Sequence, residues 1–310
     1  MNIFELTTRP DDNLFYKRND PEDIRLGEVV RRNIEGFYGS NIVILGSPQD
    51  EGVIRNKGRE GAKEAPDKIR EAFYKLAVNE KINSLKIFDI GNIKIEGSLE
   101  EIHEKQEEVV YQLLKGNNKI IIIGGGNDIS YPDCKALSRF DNNILVFNID
   151  SHFDIRADKP GNSGTSYRML LEEKLIRPKN FYGIGIKEFA SSSIHKNYLE
   201  SKGSNTFYLD EVKKKGIKKL LKEILLKKKN KGLFWGFDMD VVNSSDAPGV
   251  SAPNPIGLSA EDVILIAEAA GKEKRTKIFE ISEVNPKYDI DNRTSKLAAI
   301  MIWYFIKELS

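Results

Sequence analysis

The chain has 310 residues, of which 40% are hydrophobic and 31% are charged, so it can bury a large core. Lysine and arginine (48) nearly balance aspartate and glutamate (47), and a net charge of +1 excludes the strongly basic surface of a nucleic-acid-binding protein. No apolar run reaches the roughly 18 residues of a membrane span and the first residues resemble no signal peptide, so we expect a cytoplasmic protein with no membrane partner.

Short runs of β-branched residues alternate with helical patterns along the chain. This alternation is typical of a parallel sheet with helices on both faces, and runs such as IIII and ILVFNI fit strands that are buried on both sides. The pattern predicts eight strands, at 42–45, 86–90, 119–123, 144–149, 181–186, 206–209, 233–238 and 277–283. We therefore predict a three-layer α/β/α fold with an eight-stranded parallel sheet, in a single domain of residues 1–310.

Capping residues mark helix boundaries at two places. Ser98 and Glu101 form a capping-box pattern ahead of an apolar stripe, which predicts a surface helix there. Ser259 begins a second predicted helix, and Gly271 is expected just past its end. The lysine-rich segment 211–231 predicts a solvated amphipathic helix rather than a nucleic-acid or membrane surface.

Polar residues follow four of the predicted strands directly. The four segments are GGGND (124–128), DSHFD (150–154), DMD (238–240) and EVNP (283–286). Ligands bind beyond the carboxyl ends of the strands in open α/β sheets, so these segments mark the predicted site.

The aspartate-rich segments favour a metal site. Alternate side chains of an extended segment point to one side, so Asp150, His152 and Asp154 can face a common centre. Adding Asp238 and Asp240 makes four carboxylates in a partly buried place, which requires raised pKa values or bound cations. Either segment alone is also typical of a polar turn. Together they favour a hard or borderline divalent ion such as Mn²⁺, and do not exclude Zn²⁺ or Fe²⁺.

The polar segments belong to longer motifs that resemble a known superfamily. In order they are GGGND, NIDSHFDIR, GFDMDVVNSSDAPGVSAPNPIGLS and EVNPKYDIDNRTSKLAA. They resemble the ureohydrolase (arginase) superfamily, and the early segment DEGVIRNKGREGAKEAPDKIR is similar to its formimidoylglutamase subfamily. The resemblance implies an arginase-like fold, hydrolysis of a carbon–nitrogen bond in a linear amidine or guanidine, most closely formimidoylglutamate, and a homotrimer or homohexamer.

The resemblance also implies a ligand set for two Mn²⁺ ions. The matching residues are Asn127, Asp150, His152, Asp154, Asp238 and Asp240. Asp150 and Asp238 would bridge the ions, His152 and Asp240 would bind one ion, and Asp154 and Asn127 the other. The family has a histidine at the position of Asn127, and an amide oxygen is a weaker donor, so one ion is expected to bind less tightly. Asp128 is the alternative ligand at this place.

Catalytic and substrate-binding roles follow from the same resemblance. Glu283 is expected to hold the cationic nitrogen end of the substrate, and Asp154 to orient the attacking water. A substrate with two carboxylates needs cations, for which the candidates are Arg59, Arg168 and Arg293. Arginases also carry a proton-transferring histidine in a loop that contains none here (162–168), which argues against arginase itself.

Three other interpretations remain open at the level of sequence. The first is an agmatinase-like or arginase-like guanidine hydrolase. The second is a mononuclear Zn²⁺ site of Asp150, His152 and Asp240, as in the related deacetylases. The third is a catalytically degenerate pseudo-ureohydrolase. Metal content and an activity screen distinguish among these interpretations.

Overall fold

One nine-stranded sheet organises the described part of the chain, residues 2–309 of a computed structural model. Its strands are β1 (Thr7–Thr8), β2 (Ile42–Ser47), β3 (Ile87–Ile93), β4 (Lys119–Gly124), β5 (Leu145–Ile149), β6 (Phe181–Ile186), β7 (Asn205–Tyr208), β8 (Leu233–Asp238) and β9 (Thr276–Ser282). They lie in the order β1-β3-β2-β4-β9-β8-β5-β6-β7. All neighbouring strands are parallel except β1 and β3.

The eight predicted strands are confirmed, and the predicted number is one too small. The additional strand is β1, whose Thr7 and Thr8 pair antiparallel with Ile93 and Asn92 at the edge of the sheet. Two residues are too few for a periodic pattern, so the pairing depends on the position of β3 rather than on local sequence. The sheet is therefore mostly parallel rather than entirely so.

Helices occupy most of the connections between strands. They are α1 (Leu26–Val29), α2 (Ile34–Phe37), α3 (Glu51–Arg55), α4 (Ala65–Phe73), α5 (Glu80–Asn83), α6 (Leu99–Lys115), α7 (Ser130–Phe140), α8 (Ser166–Glu172), α9 (Ser193–Lys202), α10 (Leu209–Lys215), α11 (Ile217–Lys227), α12 (Ala260–Lys272) and α13 (Arg293–Lys307). Within residues 2–309, no helix is both long and apolar enough to cross a membrane.

The capping predictions are confirmed at the start of α6 and α12, with one correction at the end of α12. Ser98 and Ser259 each cap their helix with a complete capping box. Gly271 lies inside α12 rather than past its end. A Cβ atom there would stand 2.3 Å from the carbonyl oxygen of Phe305, so the glycine allows α12 and α13 to pack closely. The lysine-rich segment forms two helices, α10 and α11, which join at Gly216 with a φ of +81°.

Two apolar cores lie on opposite faces of the sheet. Ile121 and Ile123 of β4 belong to the core that includes side chains of α4, α12 and α13. Ile120 and Ile122 of the same strand belong to the core formed with α6 and α7. Successive residues of a strand point to opposite faces, so this division confirms the three-layer α/β/α arrangement.

Candidate metal centre

Four neighbouring strands of the sheet, β4, β9, β8 and β5, deliver the polar residues to one place. Asn127 lies in the turn that follows β4, and Asp150 comes directly after β5. Asp238 is the last residue of β8, and Glu283 comes directly after β9. The strands are parallel, so their carboxyl ends meet at the same edge of the sheet, as expected for a ligand site in this class of fold.

Five predicted ligands form two groups that share one aspartate. The first group is Asp150, His152 and Asp240, and the second is Asp150, Asp154 and Asp238. Within each group the candidate ligand atoms lie within 4.8 Å of one another. The structure thus brings together all five residues and makes Asp150 common to both groups. Asp238, the other predicted bridge, appears in the second group only.

Tight backbone turns fix the direction of the leading aspartates. The backbone N–H of His152 donates to Asp150 Oδ1 at 2.7 Å, and that of Asp240 donates to Asp238 Oδ1 at 2.8 Å. Each aspartate therefore uses one oxygen to hold its own turn, as aspartates in such turns often do. Asp154 adopts a left-handed backbone with φ +48°, an unusual conformation for a residue with a side chain. The second oxygen of Asp238 is not used by its turn, and the second oxygen of Asp150 accepts hydrogen bonds from Asn148 Nδ2 at 3.2 Å and Asn127 Nδ2 at 3.3 Å.

The electrostatics of the centre favour a bound cation. Burial raises the pKa of Asp150, and burial together with neighbouring carboxylates raises the pKa of Asp154 and Asp238 well above the usual range. The charge of Asp240, whose Oδ2 lies 3.1 Å from His152 Nδ1, is the main cause that raises the pKa of His152 to about 12. Asp240 Oδ1 is buried without a hydrogen-bond partner. These residues fit divalent cations, since a cation would neutralise the carboxylates and engage the unpartnered oxygen.

A buried lysine behind the centre was not identified from the sequence. Lys187, directly after β6, is 1% exposed, and its Nζ donates to the backbone oxygen of Asp240 at 2.9 Å. Ser151 Oγ donates to the same oxygen at 2.9 Å. In the sequence, the only sign of a role for Lys187 is its position directly after a predicted strand, which forms β6 next to β5. Lys187 brings a positive charge close to three of the carboxylates.

Asn127 lies at the centre, with its amide nitrogen toward the carboxylates. Nδ2 donates to Asp154 Oδ2 and, at 3.3 Å, to Asp150 Oδ2. On the other side Oδ1 accepts hydrogen bonds from Ser130 and Ser282. Asn127 thus lies next to two of the predicted ligands, but an N–H group cannot bind a cation, so a ligand role for Asn127 requires the amide to turn over.

Asp128, the alternative ligand, lies outside both groups. Its Oδ2 accepts a hydrogen bond from Gln49 Nε2 at 2.6 Å and lies 2.7 Å from His103 Nε2. The side chain is thus turned toward α6 and the turn after β2. These contacts favour a structural role for Asp128.

Glu283 lines the cavity described below and also forms a hydrogen bond with the turn after β4. It is 4% exposed, and its Oε1 accepts a hydrogen bond from the backbone N–H of Asn127 at 2.8 Å. Its backbone is left-handed, with φ +63°. Burial raises the pKa of its carboxyl to about 8. The geometry leaves Glu283 Oε2 as the oxygen not committed to this turn.

A cavity of about 440 Å³ opens onto the centre and carries cationic side chains. Its lining includes His152, Asp154, Asp238, Asp240 and Glu283 from the centre, and Lys57, Arg59, Arg156 and His195 around them. The structure thus brings Arg59 to the site, as predicted. Arg156 and Lys57 were not identified, although Arg156 follows Asp154 by only two residues.

Arg168 and Arg293 do not line this cavity, contrary to the expectation for substrate-binding residues. Arg168 Nε pairs with Glu172 at 2.5 Å, and the guanidinium lies 4.0 Å from the ring centroid of Tyr198. Arg293 donates to the backbone oxygen of Ser245 at 2.6 Å, at the start of α13. Both guanidinium groups are therefore engaged in local contacts elsewhere.

Comparison with known proteins agrees with this geometry. A sequence model described as the arginase family matches residues 40–307. The chain belongs to the arginase family. The matched residues include β2 to β9, and therefore all the strands that carry the centre. The sequence motifs lie within the same range.

Individual members of the family are similar over most of their length. The formimidoylglutamase of Staphylococcus aureus (strain bovine RF122 / ET3-1) is 34% identical over 275 residues, which cover 86% of each chain. The crystal structure of Trypanosoma cruzi formiminoglutamase with Mn²⁺₂ is 35% identical, with a TM-score of 0.86 over 92% of this chain and 98% of that one. The formimidoylglutamase structure from Bacillus subtilis subsp. subtilis str. 168 is 26% identical, with a TM-score of 0.88 over 94% of each chain.

Proposed function

We propose that this arginase-family chain is a manganese-dependent formimidoylglutamase, which hydrolyses formimidoylglutamate to glutamate and formamide. The observation that carries the proposal is the pair of ligand groups, joined by Asp150, in a cavity that also presents cationic side chains. This combination suits a substrate with an amidine at one end and two carboxylates at the other. The similarity to formimidoylglutamases, one of them with Mn²⁺₂, supports the choice of substrate and metal.

The ligand groups would hold two ions with Asp150 between them. His152 and Asp240 complete the first group, and Asp154 and Asp238 complete the second. Asn127 borders Asp150 and Asp154, where it can add a sixth ligand after its amide turns. Two Mn²⁺ ions, when bound, acidify a water molecule and polarise the group under attack.

Two carboxylates of the chain act on the reacting groups. Asp154 lines the cavity next to Asp150, and we assign it the orientation of the attacking water. Glu283 lines the same cavity with one oxygen free of the turn, and this oxygen accepts a hydrogen bond from the cationic nitrogen end of the substrate. Both residues are held by their backbone and by neighbours, so little reorganisation is needed when substrate binds.

The glutamate end of the substrate requires cations on the cavity wall. Arg59 and Arg156 line the cavity, together with Lys57. The Arg59 guanidinium lies 4.1 Å from the ring centroid of Tyr288, which restricts its orientation. A guanidinium can bind a carboxylate through two parallel hydrogen bonds, so we assign Arg59 and Arg156 to the two carboxylates. Arg168 and Arg293 are not part of this assignment.

The second ligand group disfavours two of the competing interpretations, the mononuclear site and the degenerate site. A mononuclear deacetylase-like site needs only Asp150, His152 and Asp240, and gives no role to the half-buried Asp154 and the buried Asp238. A degenerate site would have lost ligands, whereas five carboxylate and imidazole ligands are present in two groups.

An activity screen with defined metal content tests the proposal. The purified chain is stripped with chelator, reloaded with Mn²⁺ and offered formimidoylglutamate, agmatine and arginine, with formamide and urea as the measured products. We expect about two Mn²⁺ per chain and formamide release from formimidoylglutamate alone, with Asp150→Asn as the inactive control for contaminating enzymes. Faster urea release from agmatine or arginine, or binding of only one Mn²⁺ per chain, would overturn it.

We also propose that residues 1–310 form one catalytic domain in a cytoplasmic homo-oligomer, a trimer or hexamer. The continuous sheet and the family match over residues 40–307 support the single domain. Resemblance to the superfamily supports the oligomer. Light scattering of the purified chain would measure its mass in solution, and a monomeric mass would contradict this part of the proposal.

A further inference from the structure

The side-chain amide of Asn127 lies between two carboxylates and two serines. On the carboxylate side Nδ2 donates to Asp150 and Asp154. On the other side Oδ1 lies 3.0 Å from Ser130 Oγ and 2.9 Å from Ser282 Oγ. Asn127, Ser130 and Ser282 are all buried. Both the nitrogen and the oxygen of the amide therefore have hydrogen-bond partners within the protein.

A ligand role for Asn127 reverses the hydrogen bonding on the serine side. Only Oδ1 can bind a cation, and it reaches the carboxylate side only if the amide turns by 180° about its last bond. The two protons on Nδ2 would then point at Ser130 Oγ and Ser282 Oγ. The turned amide is satisfied only if both serine oxygens can accept hydrogen bonds.

The remaining partners of the two serines meet this requirement. Ser130 Oγ lies 2.5 Å from Glu280 Oε1, and Ser282 Oγ lies 3.1 Å from the backbone oxygen of Phe237. Each hydroxyl has one proton, and donating it to Glu280 or to Phe237 leaves lone pairs that face Asn127. Tyr167 donates to Ser130 at 3.2 Å and uses a different lone pair.

We propose that Ser130 and Ser282 are positioning residues, which accept the amide protons of Asn127 and thereby direct its Oδ1 toward the metal. The inference rests on the metal role of Asn127 in the proposed function. Glu280 and the carbonyl of Phe237 keep the serine hydroxyl protons away from the amide. The serines thus select whether the oxygen or the nitrogen of the amide faces the ion.

Metal titration of serine variants tests the proposal. Ser130→Ala and Ser282→Ala each remove one acceptor with little change in volume, and either variant is sufficient if the other folds poorly. We expect each to weaken the binding of the looser Mn²⁺ by roughly tenfold, the typical effect of one hydrogen bond, and to leave the tighter ion unchanged. Ser47→Ala is the matched control, because Ser47 is a buried serine at the end of β2 that bonds Gln106 and not Asn127.

A double-mutant cycle separates positioning from a general structural effect. In an Asn127→Ala background the serine substitutions should change Mn²⁺ affinity by less than about twofold, because the residue they act through is absent. Equal losses in both backgrounds, or no loss in the native background, would overturn the inference while leaving the proposed function intact. If the unmodified chain bound no Mn²⁺, the proposed function and the inference would both be wrong.

Discussion

Lys187 Nζ lies 2.9 Å from the backbone carbonyl oxygen of Asp240 and donates a hydrogen bond to it from a buried position. Burial lowers the pKa of Lys187, while the nearby charges of Asp240, Asp150 and Asp238 oppose this shift and favour the ammonium form. Lys187 therefore combines two tasks: it holds the turn that carries Asp240, and it offsets part of the negative charge of the ligand groups.

Replacing this lysine should destabilise the protein most strongly when metal is removed. We expect Lys187→Met to lower the free energy of unfolding by about 3 kcal/mol in chelator, because buried carboxylates lose a compensating charge. The loss should be smaller in saturating Mn²⁺, where the ions supply positive charge. Urea unfolding with and without Mn²⁺ measures both values. Lys218→Met, on the exposed side of α11, is the control, and an equal loss for the two variants would contradict the assigned role.

The shared aspartate should matter more for metal binding than an aspartate of one group. Asp150 belongs to both ligand groups, whereas Asp154 belongs to the second only. We expect Asp150→Asn to abolish tight binding of both Mn²⁺ ions and Asp154→Asn to weaken only one of them. Calorimetric titration gives the number and affinity of the sites. A tight site that survives in Asp150→Asn would show that the groups bind metal independently.

Substrate affinity should depend on Arg156 and not on Arg168. Arg156 lines the cavity, whereas Arg168 pairs with Glu172 outside it. Loss of a charge-assisted hydrogen bond to a substrate carboxylate should raise KM for formimidoylglutamate by about 10- to 100-fold in Arg156→Ala, with little change in kcat. Steady-state kinetics of Arg156→Ala and Arg168→Ala check this directly. Similar KM values for the two variants would exclude Arg156 as a carboxylate ligand.

Of the two neighbouring positions 127 and 128, only position 127 should change the affinity for the looser ion when it is substituted. Asn127→His offers a stronger donor, so Mn²⁺ affinity should increase by about 10- to 100-fold. Asp128→Ala should leave Mn²⁺ affinity within about twofold, because its carboxylate contacts Gln49 and His103 instead of the ligand groups. Metal titration of both variants distinguishes the two residues, and release of metal by Asp128→Ala would make Asp128 the ligand after all.

Away from the centre, one buried ion pair should dominate the stability of the α4 region. Arg70 Nε lies 2.8 Å from Asp89 Oδ2, Arg70 Nη2 lies 3.0 Å from Asp89 Oδ1, and both residues are at most 1% exposed. Arg70→Met should lower the free energy of unfolding by about 3 to 5 kcal/mol, since it leaves a buried carboxylate without its partner. Lys68→Met on the same helix, which breaks an exposed pair with Glu71, should cost less than about 1 kcal/mol in the same urea titration.

Strand positions and strand-end motifs can be predicted from the sequence because each depends on a short stretch of neighbouring residues. The eight β-branched runs correspond to β2–β9, and the order of parallel strands then places Asp150 and Asp238 at one edge. Only β1 was missed, because two threonines carry no period. Fold class and metal centre therefore follow from short-range information together with a general rule about parallel sheets.

The direction in which a side chain points cannot be predicted from the sequence in the same way. Sequence proximity to a motif does not show whether an arginine points into a cavity or along the surface, so the sequence favours Arg168 and Arg293, which lie outside the cavity, as much as Arg156, which lines it. Lys187 carried no motif at all, and its role depends on β6 lying next to β5. The orientation of the Asn127 amide depends on serines from two separate elements, which only the folded chain brings together.

The hydrogen bond from the backbone N–H of Asn127 to Glu283 Oε1 has a consequence for how a substrate is held. It leaves Oε2 as the oxygen that the turn does not use, so in the proposed function we expect the cationic end of the substrate to form its hydrogen bond with this oxygen alone. A single hydrogen bond fixes the distance of a planar group but leaves it free to rotate about the bond axis. The plane of the amidine must therefore be set by other groups, which in the proposed function are the metal ions and the arginines assigned to the substrate carboxylates.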